Sequence, residues 1–240
     1  MAIGLSTQCE GSVKKTLASI ALIFLSPALS WSAPMTYSAG PTSGTVVDAD
    51  TQQPIRGVLV IALWDLEGGM ERSIVGTFRF SEAVTDESGQ YRMPGWGPIP
   101  RPREGVLDAY DPQLLIFKPG YATVRLLNDP GAQPYKRFAL EIHDSVFNGK
   151  TTALHKYQGT LRDYSKDVGF IVRRLYDVLN NGPECRWKQI PKAVRILEAE
   201  RKREDDAGVI PIYTISAKLL TARKECAPVD EFMKTYQESN

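Results

Sequence analysis

The hydrophobic periodicity of this chain changes once, near residue 153, and that change constrains its fold more than any other feature. Before it, residues 43–47, 58–66, 83–85, 90–93, 114–118, 121–127 and 135–142 are short apolar or β-branched runs separated by polar turns, which is the pattern of strands. After it, Leu161, Tyr164, Val168, Ile171, Leu175 and Val178 recur at spacings of three and four, which draws one stripe along an amphipathic helix. A second helix is expected from Pro191 to about Asp206, a third over 212–224, and a fourth from Pro228 through Tyr236, where the proline suits the first turn. The expected class is mainly β with an α region (α+β): about seven strands in a two-sheet sandwich over residues 43–145, then a helical region over 153–240.

The N-terminus points to export. Residues 16–30 are almost wholly apolar, Lys14 and Lys15 precede them, and the small residues Ser30, Ser32 and Ala33 follow. These are the three regions of a secretory signal peptide, expected to span residues 1–32. The apolar run breaks at Ser26-Pro27, short of the roughly 20 residues a transmembrane helix needs. The alternative is an uncleaved anchor over residues 16–31. Cleavage would remove Lys14, Lys15, Glu10 and Cys9, leaving 27 basic and 27 acidic residues. A neutral chain lacks the basic excess that coating nucleic acid requires, so no nucleic-acid partner is expected. The periplasm or the exterior is the expected location.

The two remaining cysteines, Cys185 and Cys226, form an even pair in a chain read as exported, and a disulfide between them is expected. Closing that loop would stabilise the fold by roughly 4 kcal/mol in the chain-entropy picture. The other readings are two separate buried thiols or a reactive thiol.

The strand half resembles the carboxypeptidase regulatory-like domain, a transthyretin-like β-sandwich found in exported bacterial proteins. The residues that carry the likeness are Gly44-Thr-Val-Val-Asp48, Thr51-Gln-Gln-Pro-Ile55, Gly57-Val58, Thr85-Asp86-Glu-Ser-Gly89-Gln-Tyr91 and Lys118-Pro-Gly-Tyr121, all within residues 43–125. Each also has a local reason. Gly44 and Gly57 let backbone pass closely, Asp86 and Gly89 shape a tight hairpin between 83–85 and 90–93, and Tyr91 offers a large face to the core. The resemblance implies an accessory or binding module. The helical region matches no family known to us.

One segment departs from that family. Residues 93–112 are dense in Pro and Gly, and long connections of this kind are often functional. Trp96, Arg101, Arg103 and Tyr110 are the ligand-binding candidates there, because aromatic faces stack on sugars or apolar side chains and Arg reaches acidic groups. The plainer alternative is a loop lying over the sandwich, with Trp96 closing the edge of the core.

Motifs for catalysis are few. The two histidines, His143 and His155, are 12 residues apart, without the close spacing of a helical zinc motif. Intradiol dioxygenases, built on a related sandwich, bind iron through two Tyr and a His-x-His pair, which this chain lacks. Hydroxyisourate hydrolases end in Tyr-Arg-Gly-Ser, and this chain ends Gln237-Glu-Ser-Asn240. No Gly-x-Ser-x-Gly elbow or phosphate loop occurs. Asp48, Asp50 and Thr51 are read as a turn rather than a calcium site. The expectation is a non-catalytic exported protein with no cofactor and no metal, serving binding or assembly in the bacterial envelope. Its partner would be another envelope protein or a carbohydrate or peptide ligand. The alternatives are a structural subunit docking through its helical tail, and an enzyme whose site forms no motif.

Overall fold

A computed structural model describes residues 34–129, 131, 138–180, 185–210 and 229–238. The expected signal peptide or anchor, the expected helix over 212–224, the start of the expected strand over 135–142, and Cys226 lie outside these residues. The described chain is mainly β with helices, an α+β protein whose sheets are not closed. It has ten strands where the sequence suggested about seven. They are β1 (Thr36–Ala39), β2 (Thr42–Asp48), β3 (Leu59–Gly68), β4 (Ser73–Val84), β5 (Gln90–Met93), β6 (Trp96–Pro100), β7 (Val106–Leu107), β8 (Gln113–Phe117), β9 (Val124–Leu126) and β10 (Lys150–Leu154). The helices are α1 (Leu161–Asn180), α2 (Pro191–Asp206) and α3 (Val229–Glu238), with a 3₁₀ turn at Arg186–Gln189.

Strand β3 organises the molecule. It pairs antiparallel with β4, β8 and β7, and β8 carries β9 at the sheet edge. Both faces of this sheet are covered. Leu59, Ile61 and Leu63, with Leu115 and Phe117, meet Val168, Ile171, Leu175, Val194 and Leu197 of the helices. The alternate residues Val60, Ala62, Trp64 and Leu66 meet Val46, Tyr91, Met93 and Leu154 on the opposite face. These belong to a three-stranded sheet in the order β10-β2-β5. Burial on both sides is why β3 reads as a nearly unbroken apolar run, since alternation is seen only where one face meets water.

The helices do not stand apart from the strands, because α1 and α2 share one core with β3 and β8. Carboxylates fix their positions. Glu82 of β4 accepts the N–H groups of Lys192 (2.8 Å) and Ala193 (2.7 Å), capping the start of α2. Asp167 of α1 accepts the Thr123 N–H (2.7 Å) and hydroxyl (3.0 Å) just before β9. Thr160 starts α1, its Oγ1 accepting the Asp163 N–H at 3.2 Å. Strand β10 lies beyond the expected end of the sandwich, yet it pairs parallel with β2 from Lys150↔Gly44 to Leu154↔Asp48.

Two local expectations are corrected. Asp86 and Gly89 do make a tight turn, with Asp86 Oδ1 accepting the Ser88 and Gln90 N–H groups at 2.9 Å and Gly89 at φ 69°. The strands beside it do not form a hairpin, however: β4 pairs with β3 and β5 pairs with β2, so the turn carries the chain from one sheet to the other. Within 135–142, the described residues from 138 hold no strand, and Ile142 makes only an isolated bridge to Ser38. The close approach expected at Gly44 is present, since a Cβ there would lie 2.6 Å from the Tyr91 hydroxyl.

Candidate functional site

The segment singled out for its prolines is not a free loop. Strand β6 pairs with β1 and β7 with β3, so residues 93–112 are laid against the sheets. Trp96 is half-buried against the core, its ring edge-to-face with Trp64 (5.3 Å) and Phe78 (5.6 Å), as in the plainer of the two expectations. Arg101 and Arg103 are exposed in the turn between β6 and β7. Of the four candidates, Tyr110 lines a cavity among the described residues, and Trp96, Arg101 and Arg103 are not in its lining.

That cavity, about 200 Å³, opens at the end of the five-stranded sheet. Its polar wall comprises Asp65 and Glu67 of β3, Asp108 and Asp111 of the segment before β8, Gln113 of β8 and Arg125 of β9. Asp65 interrupts the apolar run of β3 where the β3–β4 register slips, between Trp64 and Asp65. Bulges of this kind re-aim side chains and are common beside functional sites. The Asp65 side chain is 4% exposed and is ion-paired with Arg174 of α1, while the Thr77 hydroxyl donates to its Oδ1 at 2.7 Å. Gln113 Oε1 accepts from Arg125 Nε at 3.0 Å and from Arg174 Nη2 at 3.4 Å.

Asp111 has a different environment. It is only 2% exposed, its Oδ2 accepts the Asp65 N–H at 3.0 Å, and its Oδ1 accepts no hydrogen bond among the described residues. Burial raises its carboxyl well above the usual carboxylate range, and the neighbouring Asp65 charge adds to the effect. Asn128 fixes the backbone on which it stands. Asn128 Nδ2 donates to the carbonyls of Ala109 (3.3 Å), Asp111 (3.0 Å) and Asp144 (3.1 Å), and its Oδ1 accepts the Val146 N–H at 2.7 Å. The cleft therefore holds a positioned carboxylic acid, a group suited to giving or taking a proton.

Sequence reasoning missed Asp65, Glu67, Asp108, Asp111, Arg125 and Asn128. The available signal was Asp65 itself, because a carboxylate inside an apolar central strand requires a partner.

The other notable polar groups are already engaged. The Asp48 carboxylate accepts from Asp50 N (3.0 Å), Thr51 N (2.9 Å) and the Tyr121 hydroxyl (2.9 Å), and the Thr51 hydrogen bonds foremost hold its pKa down to about 2. A shallower hollow of about 220 Å³ includes Tyr157, Tyr164 and Arg203. There the Tyr164 hydroxyl accepts the Gly120 N–H at 3.1 Å, and Arg203 is held by both oxygens of Glu200. His143 is buried and His155 exposed. Among the described residues no group of three or more His, Cys, Asp or Glu is arranged to hold a metal, and no helix is long and apolar enough to cross a membrane. Cys185 is disulfide-bonded, and both other cysteines lie outside the described residues.

No family model matches the chain, and no curated protein does. Solved structures similar to it include 3-chlorocatechol 1,2-dioxygenase from Rhodococcus opacus 1CP, with TM-score 0.32 and 14% identity over 52% of this chain and 62% of that one. Chlorocatechol 1,2-dioxygenase from Pseudomonas putida gives TM-score 0.30 and 13% identity over 51% and 61%. The dioxygenase domain of a dioxygenase carbohydrate-binding protein fusion from Streptomyces sp. SirexAA-E gives 0.29 and 18% over 53% and 84%. The chain thus spans less than two thirds of the length of the first two. The expectation of a protein without catalysis is corrected by these neighbours, all of which are dioxygenases. At such TM-scores the likeness assigns this chain no reaction.

Proposed function

We propose that the protein is exported by cleavage of residues 1–32, works in the cell envelope, and handles a small molecule in the acidic cleft beside Tyr110. The observation that carries this reading is the Asp111 carboxyl, buried at a cavity wall, where its Oδ2 accepts the Asp65 N–H. A fold optimised for stability alone would not keep such a group desolvated beside Asp65, since functional sites are where such perturbed groups concentrate. A bound molecule would meet the Asp111 carboxyl at the cavity wall, a group suited to recognition or to a proton-transfer step.

The β half is assigned to the regulatory-like, transthyretin-type sandwich on the sequence resemblance, and the partner of Cys185 is assigned as Cys226. Mass spectrometry of the exported protein under non-reducing conditions should show a chain beginning near Ala33 with a Cys185–Cys226 linked peptide pair. The site is tested by saturation-transfer NMR against a library of small polar compounds, using folded Tyr110→Ala and Asp111→Asn variants. Ligands whose signals depend on both residues support the cleft; signals indifferent to both reject it.

A further inference from the structure

His143 lies outside the cleft, yet the backbone around it is tied to the cleft. Its ring is buried and edge-on to Tyr37 of β1 at 5.3 Å. Nε2 stands 3.0 Å from the Leu140 carbonyl, which can only accept, so Nε2 carries the proton and Nδ1 is a bare acceptor. Nδ1 is buried and has no hydrogen-bond partner among the described residues. Such an atom cannot take up a proton where it stands, because the new N–H would be charged, buried and unanswered. The segment that carries the ring, residues 141–149, forms no helix or strand beyond the isolated bridge at Ile142. It is held to β1 by the Ser38 N–H on the Glu141 carbonyl (2.9 Å) and by the His143 N–H on the Ser38 carbonyl (2.8 Å). Just after β1, the Gly40 N–H donates to Asp144 Oδ1 at 2.6 Å.

Two contacts carry a movement of that segment to the cleft. The Asn128 side chain holds the Asp144 carbonyl and the Val146 N–H on one side, and the carbonyls of Ala109 and Asp111 on the other. Tyr37, edge-on to the His143 ring, accepts the Leu107 N–H on its hydroxyl at 3.3 Å. We infer that protonation of His143 releases residues 141–149 from β1 and, through Asn128 and Tyr37, loosens residues 107–111, so that acid relaxes the backbone on which Asp111 stands. On the reading that the cleft is the working site, this is its regulation. Burial lowers the His143 pKa to about 4, against the opposing pull of the Leu140 carbonyl and the Asp144 charge. The groups facing the ring are Asp144 on its own segment and Tyr37 of β1, with Arg101 acting in turn on Tyr37. The closed segment holds the ring neutral, whereas the open one lets it bind a proton as pH falls through about 6.5. Opening is therefore favoured on the acid side.

The test is amide hydrogen exchange of the exported protein at pH 7, 6 and 5, read by NMR as protection factors so that the intrinsic pH dependence of exchange cancels. Opening at the His143 and Val146 amides is expected to rise about 20-fold between pH 7 and pH 5, as a ring that titrates near 4 when closed and near 6.5 when open requires. Protection at Leu107 and Asp111 should fall with it, while the amides of β3 and β8 stay protected. His143→Gln and His143→Phe do not titrate, and each should flatten the profile; the two replacements differ in polarity, so one remains informative where the other fails to fold. Steady protection at 141–149 or a loss shared equally by β3 and β8 overturns the inference. So does opening of 141–149 without change at 107–111, or a wild-type profile in a folded variant. Exchange needs no ligand, so failure to find any molecule that binds beside Tyr110 would reject the cleft as the working site and leave the coupling standing.

Discussion

His143 shows how one residue can couple the fold to pH. Its ring is 1% exposed and edge-on to Tyr37 at 5.3 Å, with Nε2 3.0 Å from the Leu140 carbonyl, and burial lowers its pKa to about 4. An unfolded histidine titrates near 6.5, so between about pH 6.5 and 4 the unfolded chain binds the extra proton and stability falls with acidification. Urea unfolding should lose roughly 3 kcal/mol more across that window in the wild type than in His143→Gln, measured at matched pH values. A flat difference between the two proteins would reject this. Trp96 sits in the same aromatic group. Removing its ring should cost about 3 kcal/mol of stability and leave cleft ligands bound, as paired denaturation and NMR titrations of Trp96→Ala would report. Both residues were visible in the sequence; the core-edge place of Trp96 was one of its two readings there, and the burial of His143 was not. Trp96 looked like a loop aromatic because residues 94–112 read as punctuation, and the ordering force, pairing with β1, comes from 60 residues earlier in the chain.

At the scale of elements, the helices were legible and their docking was not. The stripe from Leu161 onward and the Pro191 start appear in the structure as α1 and α2. A helix whose apolar face repeats at three and four reports its own geometry. What joins α2 to the sheet is Glu82, whose two oxygens take the Lys192 and Ala193 N–H groups. Replacing Glu82 by Ala should cost about 1–2 kcal/mol, the range of a lost N-cap, and hydrogen exchange at Lys192 and Ala193 should quicken before the rest of α2 is affected. Unchanged exchange there would show that packing alone holds the helix. Strand β4 was anticipated only at its end, in the run 83–85, because its residues alternate irregularly, with two register slips against β3. A bulge shifts the period by one and erases the alternation by which a strand is recognised.

For the whole molecule, the consequence is mutual dependence of the two halves. Among the described residues, the face of Leu59, Ile61, Leu63, Leu115 and Phe117 is covered mainly by the helices and the 3₁₀ turn. A chain ending near residue 155 would expose that face, and an apolar patch of that extent leads to association. Such a truncation is expected to yield aggregated or molten material by circular dichroism and sedimentation, and a stable monomeric sandwich would refute the shared core. The cleft obeys the same logic. Asp65, Asp111, Gln113, Arg125 and Arg174 come from three strands, a connecting segment and a helix, over 100 residues apart in the chain.

The sequence by itself determined the local structures: the change of period near residue 153, the extents of α1 and α2, and the Asp86–Gly89 turn. All of these follow from neighbours within a few positions, through side-chain period, capping and backbone sterics. Only the tertiary structure decided which strands pair, that both faces of β3 are covered, and that one carboxyl among many is Asp111, desolvated at a cavity wall. Burial and charge depend on chain segments distant in sequence. A carboxylate written beside a proline is ordinary, and it becomes a site only where Asp65, Asn128 and the end of a sheet close around it.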